Sequence, residues 1–217
     1  TVADGGLLGV LVNRRGYPRW QGCPEGRSAM THIILVRHGQ TAWNRAERFR
    51  GLSEVSLNST GLGEAHAAAR RIVSTWQVDA VYTSPLKRAQ ETALAIAQRC
   101  GLKAQPCDGL TDLNFGEWQG LTFEQVAETY PEQYQLWLTA PQKMRVPGGE
   151  TTSKVRRRAM ETLRELLAAH PEGTVVLVSH QVVCKILVLA MMGLPVSRIW
   201  HIKQDNAFFS LFVAEHA

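Results

Sequence analysis

The residues Ile33-Ile34-Leu35-Val36-Arg37-His38-Gly39-Gln40-Thr41 join an apolar run to a basic side chain, an imidazole and a glycine. Four consecutive apolar residues are typical of a strand that is buried on both faces, and we predict that strand over residues 31–36. Arg37 and His38 then lie at its carboxyl end, and Gly39 begins the turn behind them. Ligands of open α/β sheets bind in the crevice outside such strand ends. We therefore expect Arg37 and His38 to face a ligand.

Strand and helix patterns alternate along the chain after this stretch. Periodicity predicts further strands at residues 78–83, 102–107, 174–179 and 208–213. It predicts a polar loop at 44–58 and helices at 58–76, 86–100, 122–139 (interrupted at Pro131), 152–170 and 181–192. The first helix carries apolar side chains at helical spacing, at Leu62, Ala65, Ala69, Ile72, Val73 and Trp76. This alternation predicts an α/β fold, a three-layer sandwich whose central sheet is mostly parallel with helices on both faces.

The first 29 residues differ in composition from the rest of the chain. They hold glycines, prolines and arginines around one short apolar run, residues 7–12, and Met30 stands directly before the first clear strand. We therefore interpret residues 1–29 as an N-terminal extension outside the native domain, which then comprises residues 30–217. An N-terminal arm packed on the surface is the alternative. A signal peptide is disfavoured because no clear small-residue cleavage site follows the short apolar run.

Composition limits the classes of function. The chain has 217 residues, of which 45% are hydrophobic and 20% charged, as is typical of a globular protein of one domain. The net charge is +5, and residues 1–29 supply +2 of it, so the balance favours a small anionic ligand over nucleic acid. No apolar run is long enough for a membrane span. The basic cluster in the predicted helix 152–170 is interpreted as a solvated face and consists of Lys154, Arg156, Arg157 and Arg158.

The four cysteines form no recognisable metal or disulfide pattern. Cys23, Cys100, Cys107 and Cys184 include no CxxC pair. Cys184 lies one helical turn after His180, but this single pair without further ligands is a poor zinc candidate. We therefore expect free thiols in a reducing cytoplasm, no metal and a cytoplasmic location.

Reactive side chains follow three of the predicted strands. Arg37 and His38 end the first strand, Ser84 ends the second with Arg88 one helical turn further on, and His180 ends the most apolar strand. Guanidinium groups match phosphoryl oxygens with paired hydrogen bonds, and imidazole serves as a nucleophile or a donor. Each histidine alone is more often a hydrogen-bonded structural residue. Together these groups predict a phosphate site, provided that the three strands are neighbours.

The same residues and several further motifs resemble the signature of the histidine phosphatase superfamily, in its phosphoglycerate-mutase-like branch. In chain order, the matching motifs are Leu35-Val36-Arg37-His38-Gly39-Gln40-Thr41, Asn44, Phe49-Arg50-Gly51, Leu57-Asn58 before Gly61, Ser84-Pro85-Leu86-Lys87-Arg88-Ala89-Gln90-Glu91-Thr92, Leu110-Thr111-Asp112-Leu113-Asn114-Phe115-Gly116-Glu117-Trp118-Gln119-Gly120, Pro147-Gly148-Gly149-Glu150 and Val178-Ser179-His180. As an ordered set these motifs are highly specific. The resemblance covers residues 30–217, which would form the catalytic domain.

The resemblance implies a role for each group at the strand ends. His38 would be the nucleophile and would carry the phosphoryl group as phosphohistidine. Arg37, Arg88 and His180 would hold the phosphoryl oxygens during transfer, and Asn44 would add a neutral donor. Protein cations would then do what metals do elsewhere, so we expect neither a metal nor another cofactor.

The resemblance also places a carboxylic acid, usually Glu, at the position of Asp112. This acid would protonate the leaving alkoxide and then activate water against the phosphohistidine. Asp is one methylene shorter than Glu, so Glu117 is the alternative donor. A surface or turn carboxylate beside Trp118 is the preferred interpretation of Glu117.

Two positions depart from the family pattern, and both bear on substrate binding. Arg50 stands where Ser, Thr or Gln is common, and Gln181 replaces the Gly that usually follows the second histidine. We group both with Asn44 and Gly51 as substrate-binding residues. A further arginine would favour a substrate with a second negative charge, such as a carboxylate or another phosphate. An exposed loop arginine is an equal alternative.

Together these features predict a metal-independent phosphatase that hydrolyses small phosphomonoesters. Mutase members of the family carry a longer insertion between the acid motif and the Gly-Gly-Glu turn, which helps to retain the bisphosphate. Here only residues 121–146 separate the two, so the resemblance implies a pocket open to water, and a cofactor-dependent phosphoglycerate mutase is less favoured. A ribazole-phosphate phosphatase of the vitamin B12 pathway stays open. A catalytically silent phospholigand-binding protein is disfavoured because the cationic residues are all present. The expected partner is a small phosphorylated metabolite, with a homodimer as an option and without nucleic acid or membrane.

Overall fold

A computed structural model describes residues 30–215 and, before them, the short strand Gly9–Val10. The strands in these residues are β1 (Gly9–Val10), β2 (Met30–Arg37), β3 (Ala80–Thr83), β4 (Ala104–Pro106), β5 (Thr174–Ser179) and β6 (Phe209–Glu215). The α-helices are α1 (Ala42–Arg45), α2 (Ser59–Val73), α3 (Lys87–Cys100), α4 (Phe123–Thr129), α5 (Pro131–Thr139), α6 (Thr152–Ala169) and α7 (Gln181–Met191). Short 3-10 helices lie at Asp108–Leu110, Gly116–Trp118 and Val196–His201. Of the helices in these residues, none is long and apolar enough to cross a membrane.

The strands form one sheet in the order β1-β6-β2-β5-β3-β4. β2, β5, β3 and β4 run parallel to one another, β6 runs antiparallel to β2, and β1 runs antiparallel to β6. The predicted, mostly parallel central sheet is therefore confirmed, with the antiparallel pairs confined to one edge.

Side chains that alternate along β2 divide the core into two layers. Ile33 and Leu35 belong to an apolar cluster that includes side chains of α6 and α7. Ile34 and Val36 belong to a second cluster, which includes side chains of α2 and α3. Helices cover both faces of the strand, which explains why its sequence is continuously apolar. The predicted three-layer α/β arrangement is confirmed.

The three central strands place their carboxyl ends side by side. The register pairs Arg37 with Ser179, which are the last residues of β2 and β5, and β3 ends beside β5. The chain therefore delivers His38, Ser84 and His180 to one edge of the sheet. The condition for a phosphate site, three neighbouring strands, is met.

A single turn of helix, α1, begins before the region expected to be a polar loop. Thr41 and Asn44 form a reciprocal capping pair, in which each side chain accepts a hydrogen bond from the backbone of the other. Such a pair satisfies two of the free N–H groups at a helix start and so stabilises even one turn. Asn44 therefore belongs to this helix rather than to the predicted loop 44–58, and the boundary is corrected.

The buried stripe of α2 is narrower than its apolar pattern indicates. Leu62 and Val73, both expected on the inner face, are 45% and 39% exposed. The buried residues of this helix are Gly61, Ala65, Ala68, Ala69 and Ile72. Small side chains allow α2 to pack closely against α3, and the two larger residues fall outside this narrow contact.

The segment before Met30 is described only at β1. Gly9 of this strand lies opposite Val213 of β6. The interpretation of residues 1–29 as an extension outside the domain, and of residues 30–217 as the domain, stays a prediction.

The cysteines of the described residues are free thiols. Cys184 is buried, and Cys100 and Cys107 are half-buried. Cys23 lies outside the described residues.

Two glycines of α2 provide a matched test of how the helix packs against the loop after His38. A Cβ on Gly61 would lie 2.0 Å from the carbonyl oxygen of Gln40, whereas one on Gly63 would meet nothing within 4 Å. Gly61→Ala should therefore lower the free energy of unfolding by about 1–3 kcal/mol. Gly63→Ala should raise it by about 0.5–1 kcal/mol, because alanine favours the helix. Urea unfolding measures both values, and equal stability of the two variants would contradict this packing.

Candidate active site

His38, directly after β2, is fully buried. Its Nδ1 lies 2.7 Å from the carbonyl oxygen of Gly39. Because a carbonyl oxygen can only accept, Nδ1 carries the proton in this arrangement and Nε2 keeps a lone pair. Nε2 has no hydrogen-bond partner among the described residues. The lone pair is therefore available for attack on an electrophile.

His180 lies beside His38, with the ring centroids 5.2 Å apart. Its Nε2 is 2.8 Å from the Oγ atom of Ser84, and its Nδ1 is 3.6 Å from the Oδ2 atom of Asp112. The Ser84 hydroxyl oxygen also accepts the N–H of Leu86 at 3.3 Å. Ser84 thus fixes the plane of the second imidazole from the end of the neighbouring strand.

Burial and positive charge hold the pKa of both imidazoles well below the ordinary value. Burial is the largest cause for each ring, and the Arg88 guanidinium is the next. Arg37 and Arg50 lower the pKa of His38 further. Both rings are therefore neutral at neutral pH, so a proton does not block Nε2 of His38. His180 faces the same pocket without adding a charge to it.

Arg88, in the first turn of α3, is fully buried and fixed by three acceptors. Its terminal nitrogens donate to the carbonyl oxygens of Ser53 and Gly51, at 2.9 and 2.7 Å, and to the Oδ2 atom of Asp112 at 3.0 Å. Gly51 has a φ of +50°, and a Cβ there would lie 2.1 Å from the Oε1 atom of Gln119. Glycine is therefore needed to present this carbonyl. The structure places Gly51, predicted to bind substrate, against Arg88.

Arg37 is also buried, and a segment just before β6 holds it. Its Nη1 donates to the carbonyl oxygen of Gln204 at 2.5 Å. In the same segment, the Asn206 side chain and the Ala207 N–H donate to the carbonyl oxygen of His38, at 3.1 and 3.2 Å. Sequence patterns gave no sign of this segment, since it acts mainly through its backbone.

Arg50 extends the cluster of positive charge. The residue is half-buried, and its Nε has no hydrogen-bond partner among residues 30–215. Burial lowers the pKa of Arg50 to about 10, Asp112 opposes the shift, and Arg37 and Arg88 add to it. The guanidinium therefore lies within reach of the same charged groups rather than in open solvent.

Arg158 on α6 supports the backbone of Asp112. It donates to the carbonyl oxygens of Asp112 and Gly109, at 3.0 and 2.8 Å, and pairs through two nitrogens with the Glu150 carboxylate, at 3.0 and 2.9 Å. The expectation that this arginine belongs to a solvated helix face is wrong. The rest of the basic cluster is exposed, as expected.

The two candidate proton donors lie in different surroundings. Glu117 is exposed, and its Oε2 accepts a hydrogen bond from the Tyr130 hydroxyl at 2.9 Å. Asp112 is buried, 3.0 Å from Arg88 and 3.6 Å from His180. Position alone therefore favours Asp112 over Glu117 as the donor, despite the shorter side chain.

Asn44 and Gln181 are the remaining residues predicted to bind substrate, and no hydrogen bond joins either of them to the histidine pair in the described part of the chain. The Oδ1 atom of Asn44 accepts from the N–H and the hydroxyl of Thr41, at 2.9 and 2.8 Å, which leaves its amide nitrogen as the group to offer a ligand. Gln181 is half-buried and begins α7. Among residues 30–215, neither side chain hydrogen-bonds to the two imidazoles.

The assembled cluster matches a phosphate ester in charge. The carboxylate of Asp112 acts on Arg37, Arg50 and Arg88, so these three positive charges face one shared negative charge, an excess of two. Three further carboxylates act more weakly, each on one of these arginines: Glu54, Glu64 and Asp205. A phosphate monoester carries up to two negative charges at neutral pH. In the described part of the chain, no group of three or more His, Cys, Asp and Glu side chains is placed to hold a metal ion.

Comparison with known proteins agrees with this geometry. The family model described as the histidine phosphatase superfamily (branch 1) matches residues 33–217. The chain belongs to the histidine phosphatase superfamily. The resemblance found in the sequence motifs is thereby confirmed over most of the chain.

Relatives of this histidine phosphatase include two named phosphoserine phosphatases. Phosphoserine phosphatase 1 of Hydrogenobacter thermophilus is 36% identical over 186 residues, which cover 86% of this chain and 88% of that protein. The metal-independent phosphoserine phosphatase of Arabidopsis thaliana is 36% identical over 164 residues, covering 75% and 69%. Among solved structures, phosphoserine phosphatase of Entamoeba histolytica in complex with 3-phosphoglyceric acid matches with a TM-score of 0.75 at 26% identity, covering 83% and 89%.

The support that Arg158 gives to Asp112 in this histidine phosphatase can be tested against its neighbour Arg157, which is exposed on the same helix. Arg158→Met leaves two carbonyl oxygens and a carboxylate without their donor, so we expect the free energy of unfolding to fall by about 1–3 kcal/mol. Turnover should fall as well. Arg157→Met should change the free energy of unfolding by less than about 0.5 kcal/mol. Urea unfolding and a phosphatase assay measure both effects, and indistinguishable variants would contradict the assigned role.

Proposed function

We propose that this protein hydrolyses small phosphomonoesters through a phosphohistidine on His38, without a metal ion. The observation that carries the proposal is the unprotonated Nε2 of His38 in a buried pocket that also holds three guanidinium groups. The family match and the phosphatase relatives make the chain a phosphoric monoester hydrolase. In this proposal, each step of the hydrolysis is assigned to particular residues of the pocket.

In the first step, Nε2 of His38 attacks phosphorus while the bond to the leaving alkoxide breaks. Arg37, Arg50 and Arg88 neutralise the charge that spreads over the three equatorial oxygens. The attacking ring gains positive charge as the N–P bond forms. The hydrogen bond from its Nδ1 to the carbonyl oxygen of Gly39 stabilises that charge and keeps the ring in line.

Asp112 then serves as the acid and later as the base. As an acid it passes to the leaving alkoxide a proton that it takes from the bound phosphate monoester, and as the resulting carboxylate it takes a proton from the water that attacks the phosphohistidine. Its side chain is oriented through both oxygens, since Oδ1 accepts the Leu113 N–H at 2.9 Å and Oδ2 accepts from Arg88. Arg158 holds the backbone behind it.

The preferred substrates in this proposal carry a carboxylate near the phosphate. Arg50 adds a third guanidinium to the pocket, which strengthens its attraction for the phosphate group itself, so the preference for a carboxylate rests on the relatives. The curated relatives are named for phosphoserine, and the solved neighbour is complexed with 3-phosphoglyceric acid. Both compounds are small phosphorylated carboxylic acids. Mutase and ribazole-phosphate phosphatase activities stay alternatives, and assays of isomerisation and of ribazole phosphate beside phosphate release separate them.

The partners, oligomeric state and location of the protein follow less directly from the geometry of this site. The relatives support a small phosphorylated metabolite as the partner. The homodimer, the lack of nucleic-acid and membrane partners, and the cytoplasmic location stay predictions. Size-exclusion chromatography with light scattering tests the homodimer.

Loss of the nucleophile is the first test. His38→Ala should lower the turnover of p-nitrophenyl phosphate by at least about a thousandfold in a buffer containing a chelator. It should also abolish an acid-labile, alkali-stable phosphoenzyme that the wild type forms with labelled substrate. His66→Ala, which alters an exposed histidine of α2, is the control. Undiminished turnover by the His38 variant would show that another group attacks phosphorus.

The leaving group distinguishes the two carboxylates. Asp112→Asn should lower turnover of an alkyl phosphate by at least about a hundredfold, because a poor leaving group needs a proton. Its effect on p-nitrophenyl phosphate should be smaller, because nitrophenolate departs without one. Glu117→Gln should behave as the wild type with both substrates. A selective loss with the alkyl phosphate in the Glu117 variant, and not in the Asp112 variant, would reverse the assignment.

A further inference from the structure

Lys185 is a buried lysine that the proposed mechanism does not use. It is 5% exposed and lies on α7, one turn after Gln181, which begins that helix next to His180. Helical side chains lean toward the N-terminal end of their helix. Among the arginines of the pocket, Arg37 acts electrostatically on the ammonium of Lys185, which associates this lysine with the Arg37 side of the pocket.

One tryptophan faces this ammonium, and a second tryptophan packs against the first. Its Nζ atom is 4.7 Å from the ring centroid of Trp200, in the 3-10 helix Val196–His201. Trp200 packs edge to face on Trp137 of α5, with centroids 4.8 Å apart, and its Nε1 donates to the Trp137 carbonyl oxygen at 2.8 Å. The cation thus lies where α7 meets an aromatic pair that also involves α5.

No carboxylate of residues 30–215 forms an ion pair with Lys185. Asp205, which pairs with Lys203 at 3.2 Å, attracts the ammonium electrostatically, whereas Arg37 repels it. Burial, followed by Arg37, lowers the pKa of Lys185 to about 8, so the group is still mostly charged at pH 7. A buried cation without an anionic partner is unfavourable, and a bound anion would offset that cost.

We propose that Lys185 binds the carboxylate of the substrate and so selects phosphomonoesters that bear one. The inference rests on the proposed function, because it names the substrate class of the same site. The phosphoryl pocket already balances a phosphate dianion with three guanidiniums and Asp112. A second anionic group must therefore be met outside that pocket, and Lys185 is a buried cation on the helix that begins beside it. Trp200 offers an apolar surface to the intervening carbon chain.

Two substrates that differ only in the carboxylate provide the experiment. O-phosphoserine carries it, and O-phosphoethanolamine has a hydrogen atom in its place. In the wild type, kcat/KM should be higher for O-phosphoserine. In Lys185→Met, the ratio of the two kcat/KM values should fall at least about tenfold, mainly through a higher KM for O-phosphoserine. Lys185→Arg should restore most of the ratio, because it keeps the charge.

Control variants distinguish a role of Lys185 in substrate recognition from a role in folding. Lys154→Met, at an exposed position on α6, should keep the wild-type ratio, and thermal unfolding reports whether each variant is folded. A structural role would lower kcat/KM for both substrates alike and leave the ratio unchanged, which would overturn the inference. If Lys185→Met does not fold, Lys185→Arg and Lys185→Gln decide the same question, since only the glutamine variant should lose the ratio.

Failure of the inference can be distinguished from failure of the proposed function. If the wild type releases phosphate from neither substrate nor from p-nitrophenyl phosphate, the proposed function is wrong. If it hydrolyses all three but does not prefer O-phosphoserine to O-phosphoethanolamine, the function stands and the role of Lys185 is refuted.

Discussion

Three guanidinium groups share one buried pocket with two imidazoles, and the rest of the site depends on the need to hold these like charges together. Arg88 donates to two backbone carbonyls and to Asp112, and Arg37 donates to a third carbonyl. These acceptors offset the repulsion and fix the guanidinium planes before any ligand arrives. The same positive field lowers the pKa of His38, so the cations that attract a phosphate also keep its attacker unprotonated.

The sheet makes this arrangement possible because its three central strands are parallel neighbours. Each strand delivers its first polar residues to the same edge, and α3 and α7 begin there at once. Arg88 lies in the first turn of α3, and Lys185 lies one turn into α7. Groups that are far apart in the sequence therefore meet without long loops. The loops that remain supply carbonyl acceptors, which a strand or a helix cannot offer from its own hydrogen-bonded interior.

Sequence patterns predict those parts of the fold and site that lie on regular elements. Strand and helix periods place His38, Arg88 and His180 at converging ends, and the structure brings them together. The contacts that support the site could not be predicted from the sequence, for physical reasons. Arg158 stands in a run of basic residues and cannot be told from its exposed neighbours without knowing the helix face, and Gln204 acts through a carbonyl that every residue possesses. On α2, periodicity indicates which side is buried, but the small residues that face α3 set how wide the contact is.

The central claim is that His38 is neutral, with its proton on Nδ1 and its lone pair on Nε2. Long-range proton–nitrogen NMR of the imidazole rings tests this most directly, with the spectrum of His38→Gln providing the assignment. We predict that Nδ1 gives the signal of a protonated nitrogen and Nε2 that of an unprotonated one, with no change as the pH falls from 8 to the ordinary histidine pKa of about 6.5, because burial and the arginines lower the pKa of His38. A His38 ring that gains a second proton near its ordinary pKa, or that carries its single proton on Nε2, would contradict the claim.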